Sequence, residues 1–180
     1  MSHLPRPEPT EHAAYYGRYI ALVPDGDILV TLRDQLEDTL AVLSRVTPDR
    51  ETFRYAEGKW SVREVVGHVL DTERVFAFRA LAMARSESAE LPGMEQDEWA
   101  ARSNAHERTL QDLTDEWVAL RRANVHMFGS FTPEMGSHWG VASGFGFTVR
   151  SFAWLTAGHE LWHRVGLERD YLKLGASGRA

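Results

Sequence analysis

The sequence predicts an all-α protein organised as a four-helix bundle, and three observations carry the prediction. Four long segments place apolar residues at the three-to-four spacing of a helix face. Each opens near an Asp, Ser or Thr able to cap a helix N-terminus. Proline- and glycine-rich stretches separate them. With 180 residues, 43% of them hydrophobic, one domain can bury a real core.

Residues 1–24 hold four of the seven prolines and read as an irregular arm, with Tyr15, Tyr16, Tyr19 and Ile20 able to pin its second half onto the body. Residues 25–175 form the bundle domain. The first helix runs from Asp25 to about Val46, capped by Asp25 or Asp27, with the stripe Leu29, Leu32, Leu36, Leu40 and Leu43. Thr47-Pro48-Asp49 ends it. Ser61 followed by Glu64 is a capping box, with Trp60 as a hydrophobic staple. The helix it opens continues to about Arg85. Val65, Val69, Phe76 and Ala80 line its buried side, and Val66, Phe78 and Leu81 widen that face.

Leu91-Pro92-Gly93 breaks the pattern before a short helix over Gln96–Ser103. Thr109 and Asp112 then open a long helix over Leu110–Gly129, with Leu113, Trp117, Leu120 and Met127/Phe128 inside and Asn124 at the margin. Residues 130–147 read as loop, in which Ala142–Phe147 could form a short extended turn. Thr148 caps a last helix, about Val149–Leu172, before a frayed GASGRA tail.

Composition excludes several classes of function. With no cysteine, the chain has no disulfide framework, no Cys-ligated zinc or iron–sulfur site and no thiol nucleophile of its own. A formal charge of −6 argues against broad attraction to nucleic acid or anionic lipid. No apolar run approaches the roughly 18–20 residues of a membrane span, and the N-terminus lacks a secretory signal pattern. A cytoplasmic protein is the resulting expectation.

The chemistry concentrates in histidine. His159 and His163 are four apart on the last helix, so both rings project from one face and can grip one ion. The stripe Phe152, Leu155/Thr156, His159, Trp162/His163 and Gly166 puts that face inside. His68 lies between Val65, Val69 and Thr72 on the inner stripe of the second helix. Three inward imidazoles need hydrogen-bond partners or a shared divalent ion. The alternative is three unrelated core histidines, each bonded to a carbonyl or a water. Gly67 and Gly158, each preceding a candidate ligand, are costly inside helices and point to close approach or room for a substrate.

His159-Glu160-Leu161-Trp162-His163 also matches H-E-x-x-H, which makes Glu160 a candidate general base or supporting group; its alternative is a solvent-facing helix carboxylate. A metzincin-type protease is disfavoured, because Arg169 stands where a third histidine belongs and only 17 residues follow His163. His3, His12, His106, His126 and His138 are expected to be exposed or locally bonded. Trp60, Trp117, Trp139, Trp154 and Trp162 are expected in the core or a pocket wall, Trp162 nearest the site.

Between about Tyr55 and Leu172 the chain resembles the DinB-like superfamily, specifically its YfiT-type group of metal-dependent hydrolases. The resemblance rests on Lys59-Trp60-Ser61-Val62-Arg63-Glu64 leading to Gly67-His68, on Asp71-Thr72-Glu73-Arg74, and on Trp99, Ser103-Asn104 and Arg108. It continues through Ala142-Ser143-Gly144 to Ala157-Gly158-His159-Glu160 and His163. It implies an up-down-down-up bundle, zinc or nickel held by His68, His159 and His163, and frequent homodimers. It implies no DNA binding. His106 and His138 depart from the family pattern.

Three functions follow as expectations. The first is a metal-dependent hydrolase acting on a small molecule, with Glu160 assisting and Arg74 or Arg108 binding an anionic group. The second, known among relatives, is a transferase using a low-molecular-weight thiol such as bacillithiol or mycothiol. The third is a non-catalytic, metal-stabilised stress protein.

Overall fold

The computed structural model describes residues 4–86 and 89–173. His3, the GASGRA tail and the end of the expected 25–175 domain lie outside them. In chain order the elements are α1 (Gly17–Ile20), α2 (Ile28–Leu43), α3 (Val62–Arg85), β1 (Glu90–Leu91), α4 (Gln96–Arg102), α5 (Leu110–Gly129), α6 (Pro133–Ser137), β2 (Trp139–Ala142), β3 (Phe145–Thr148) and α7 (Val149–Gly166). A π-helical turn, Leu167–Tyr171, extends α7 where a continuous α-helix was expected. The start signals act as anticipated at α2, α3 and α5, whereas Thr148 takes the N-cap position of α7 without a side-chain cap bond. The Asp27 carboxylate caps α2 by accepting from Leu29 N (2.9 Å), and at α3 Ser61 N donates to Glu64 Oε2 (2.7 Å) while Glu64 N donates to Ser61 Oγ (3.3 Å).

Cross-helix contacts set the directions. Leu29 of α2 packs at Gly129 of α5 and the Leu32 carbonyl accepts from Arg121 Nη1 (2.9 Å), so α2 and α5 are antiparallel. Gln35 donates to the Ala157 carbonyl (3.1 Å) and Asp38 pairs with Arg164 (3.2 Å), so α2 and α7 are parallel. Phe76 meets Phe152 while His68 meets His163, which makes α3 antiparallel to α7. The long helices therefore run up-down-down-up. Each of α2 and α3 packs on both α5 and α7, which leaves the successive pairs α2/α3 and α5/α7 diagonal.

Two apolar clusters fill the bundle. One gathers Ile28, Phe76, Phe128, Phe152 and Trp154; the other gathers Leu36, Val65, Leu113, Trp117 and Leu167. Between them lies a layer of buried polar groups that includes the histidines.

Several expectations are corrected. Residues 139–148 form a hairpin closed by Ser143 and Gly144, both at positive φ (54° and 78°), the conformation a two-residue turn requires. β1 adds to it in parallel, giving a small three-stranded sheet. Phe78 and Leu81 are exposed rather than buried, because α5 and α7 cover only the opposite side of α3. Trp139 is likewise exposed on its strand, whereas Trp117 and Trp154 are core. Asn124 is buried, not marginal, since its amide serves an internal carboxylate. The arm is ordered into turns and α1, and Leu4, Ile20 and Val23 join the core.

Candidate metal centre

One α3 position and two α7 positions one turn apart converge because the helices pack antiparallel along their full contact. His68 Nε2 and His163 Nε2 each lie 3.1 Å from His159 Nε2. The ligand atoms of all three rings fall within 4.8 Å of one another, and no other such donor group occurs among the described residues. An ion bound at about 2.0–2.1 Å from two nitrogens, at tetrahedral or octahedral angles, needs those nitrogens about 2.8–3.4 Å apart. The observed spacing fits a shared divalent ion.

Electrostatics fits as well. Burial lowers the His68 pKa to about 4, with the Asp97 carboxylate opposing the shift. Burial and the neighbouring His68 lower His163 to about 3, and burial, His163 and His68 push His159 well below the ordinary imidazole value. All three rings are neutral at pH 7, the state in which imidazole donates a lone pair to a cation. Neutral rings that face one another through Nε2 cannot all be satisfied by one another, since His159 Nε2 carries either one proton or one lone pair and has two imidazole neighbours.

The walls are aromatic. Trp60 lies against His68 (ring centroids 4.6 Å apart), and Tyr19 against both His159 (5.5 Å) and Trp162 (5.6 Å). A cavity of about 410 Å³ reaches the site at His163, walled by Tyr55, Trp60, Trp162 and Tyr171, with Asp97 at its edge. Trp162 is thus a pocket wall, as expected. Gly158 is explained by the arm: a Cβ there would run into the Tyr19 carbonyl. At Gly67 a Cβ would come within 2.7 Å of the Ala105 Cβ. Both glycines allow a neighbouring segment to approach closely beside a histidine, through backbone at Gly158 and through the Ala105 methyl at Gly67; neither opens space for a substrate.

Glu160 lies in the interior, 1% exposed, which removes the solvent-facing alternative. Its Oε1 accepts from Thr39 (2.7 Å), and its Oε2 accepts from Gln35 and pairs with Arg121 Nη2 (2.6 Å). Arg121 also forks onto Glu73, Nε to Oε1 (2.8 Å) and Nη2 to Oε2 (2.7 Å), and Trp117 and Asn124 donate to the same carboxylate. Burial pushes Glu73 up in pKa, but the Arg121 charge and these donors outweigh it and hold the carboxyl below its usual value. Sequence reasoning missed this network. Its signal was Trp117, Arg121, Asn124 and Phe128 at helical spacing on α5, a polar interruption of an inner stripe.

Arg74 and Arg108, expected as anion binders, are occupied by acids. Arg74 pairs with Glu116, and Arg108 pairs with Asp112 and Glu116 at 2.5 Å each. His12 is buried with Nδ1 3.0 Å from the Ala13 carbonyl, which is local bonding as expected. His106 and His126 are exposed, and His138 is half-buried.

Fold and site together define a four-helix bundle protein with a trihistidine cluster, buried at His68 and His159 and half-buried at His163. Residues 31–165, well over half of the chain, match the family model of the DinB superfamily, and the chain belongs to that superfamily. Two solved structures from Bacillus subtilis share the fold. YfiT, described as a probable metal-dependent hydrolase with an unusual four-helix bundle topology, superposes with a TM-score of 0.69 at 15% identity, over 95% of this chain and 94% of YfiT. YjoA, a DinB-like protein, gives 0.59 at 19% identity, over 85% of this chain and 94% of YjoA. No curated protein sequence matches the chain. No helix among the described residues is long and apolar enough to cross a membrane.

Proposed function

We propose that this protein is a metal-dependent hydrolase of small molecules, with a divalent ion held by His68, His159 and His163. One observation carries the proposal: three neutral imidazoles, two buried and His163 half-buried, face one another at the spacing a shared ion requires. The description of YfiT as a probable metal-dependent hydrolase supports the same reading. Zinc or nickel suits an all-imidazole donor set, which excludes neither on chemical grounds. A bound ion would supply Lewis acidity and leave positions open for substrate, because the three donors are neutral and cancel none of its charge.

The chain's own residues divide the remaining work. His68, His159 and His163 present Nε2 lone pairs. Trp60, Trp162 and Tyr19 exclude bulk water from the cluster, and the cavity beside His163 admits the substrate. The Tyr19 hydroxyl, raised to about 12 by burial and by the Tyr15 hydrogen bond, stays protonated at neutral pH. Glu160 we assign to the Arg121 network and not to proton transfer, because both its oxygens are committed to interior partners. The test is elemental analysis of purified protein and of His68→Ala. Near-stoichiometric zinc or nickel should fall to a small fraction in the variant; full retention would remove His68 from the ligand set.

A further inference from the structure

Thr72 carries a buried hydroxyl with nothing to bond. The residue is 6% exposed, and its Oγ1 is enclosed yet has no hydrogen-bond partner. An interior hydroxyl left unpaired costs about 1–3 kcal/mol, so such groups normally have a partner or a ligand. Its place in the fold narrows what that ligand is. Thr72 sits one turn after His68 and one turn before Phe76 on α3, so the three share one face of the helix. His68 Nε2 lies 3.1 Å from His159 Nε2, and the Phe76 ring lies 6.0 Å from the His159 ring. Thr72 is therefore flanked on both sides by residues that touch His159. By contrast Thr156, on α7, spends its hydroxyl on the Phe152 carbonyl (2.8 Å), as helical threonines commonly do. Thr72 makes no such bond.

We propose that Thr72 is a positioning residue for the three-histidine site: its Oγ1 hydrogen-bonds a small oxygen-bearing ligand lodged beside the imidazoles, a water or a carboxylate or hydroxamate oxygen of a substrate. The hydroxyl both donates and accepts, so it serves either kind of oxygen. Its backbone is fixed within α3 and its β-branched side chain has few rotamers, so it orients that oxygen without reorganising. This inference rests on the three-histidine assignment and goes beyond it, because it concerns what shares the site and not what holds the ion.

The test uses the full-length protein loaded with Co²⁺, whose visible bands report on the coordination sphere, titrated with acetohydroxamate as the probe. Unaltered protein and Thr72→Ser should bind the probe within about twofold of each other, while the isosteric Thr72→Val weakens it about five- to tenfold. Metal-free Thr72→Val should melt at or above the unaltered protein, since an unpaired hydroxyl has been removed, and should gain less from metal loading. Equal probe affinity in Thr72→Val and the unaltered protein would overturn the role of Thr72 alone. Failure of the unaltered protein to take up Co²⁺ would remove the three-histidine assignment, and the inference with it. Loss of probe binding in Thr72→Ser as well as Thr72→Val would also overturn it, because the hydroxyl would then not be the group that matters.

Discussion

Arg121→Met isolates the energetics of the polar layer that sits beside the histidines. Arg121 is 1% exposed and neutralises Glu73 (2%) and Glu160 (1%), neither of which has another cationic partner among the described residues. Methionine fills much of the same volume but leaves two carboxylates in the interior. Removing one partner of a buried pair costs about 3–5 kcal/mol, and the hydrogen bond to the Leu32 carbonyl is lost as well. Trp117 and Asn124 still serve Glu73, and Thr39 and Gln35 still serve Glu160, so the loss should not exceed that range greatly. At about 2–4 °C per kcal/mol for a domain of this size, the melting temperature should fall by about 6–20 °C at pH 7. The pH dependence has a definite sign. The folded Glu73 carboxyl is held below its ordinary value, so its pairing stabilises fully above about pH 4.3 and is lost as pH falls through the folded value. In Arg121→Met the stranded Glu73 carboxylate gains from protonation, so the gap between the two proteins should narrow on acidification. Thermal melts by circular dichroism between pH 4 and 8 read both quantities. A loss below about 1 kcal/mol at pH 7, or a gap that widens in acid, would refute the claim that Arg121 compensates buried charge.

Two further outcomes follow. Because burial holds His68 near 4 and His163 near 3, protons should compete with the metal only in that range, whereas exposed imidazoles protonate near 6.5. Bound metal, measured after dialysis at stepped pH, should stay constant from pH 7 to about 5 and fall near 4; release centred near 6.5 would show that the rings are not buried as described. Gly158→Ala would stabilise an ordinary helix interior by about 1 kcal/mol. Here the added methyl meets the Tyr19 carbonyl, so the variant should instead be destabilised and its arm cleaved faster in limited proteolysis; an unchanged or raised melting temperature would overturn the close approach.

Much of the fold was legible in the sequence because helices announce themselves locally. The capping box at Ser61 and Glu64, the Asp27 cap and the leucine stripe of α2 depend on residues within one or two turns, and each is found where periodicity puts it. The histidine cluster was legible for a related reason: spacing placed His159 and His163 on one face, and the inner stripe of α3 placed His68 inside. The family resemblance then supplied the helix order that brings them together. Phe78, Leu81 and Asn124 were misplaced because a wide helix face does not say which part of it a neighbour will cover. The hairpin at residues 139–148 was seen only as a turn, since its strands are too short to show alternation.

The chain by itself therefore determined the helices, the central stripe of each and the placement of the three imidazoles, all properties of spacing along one covalent thread. Only the tertiary structure decided that Glu160 turns away to Arg121, that Tyr19 closes over His159, and that the Thr72 hydroxyl is enclosed without a partner. A buried charge or hydroxyl acquires its partners across elements far apart in sequence, and the free energy of burying it is defined only once those elements have packed.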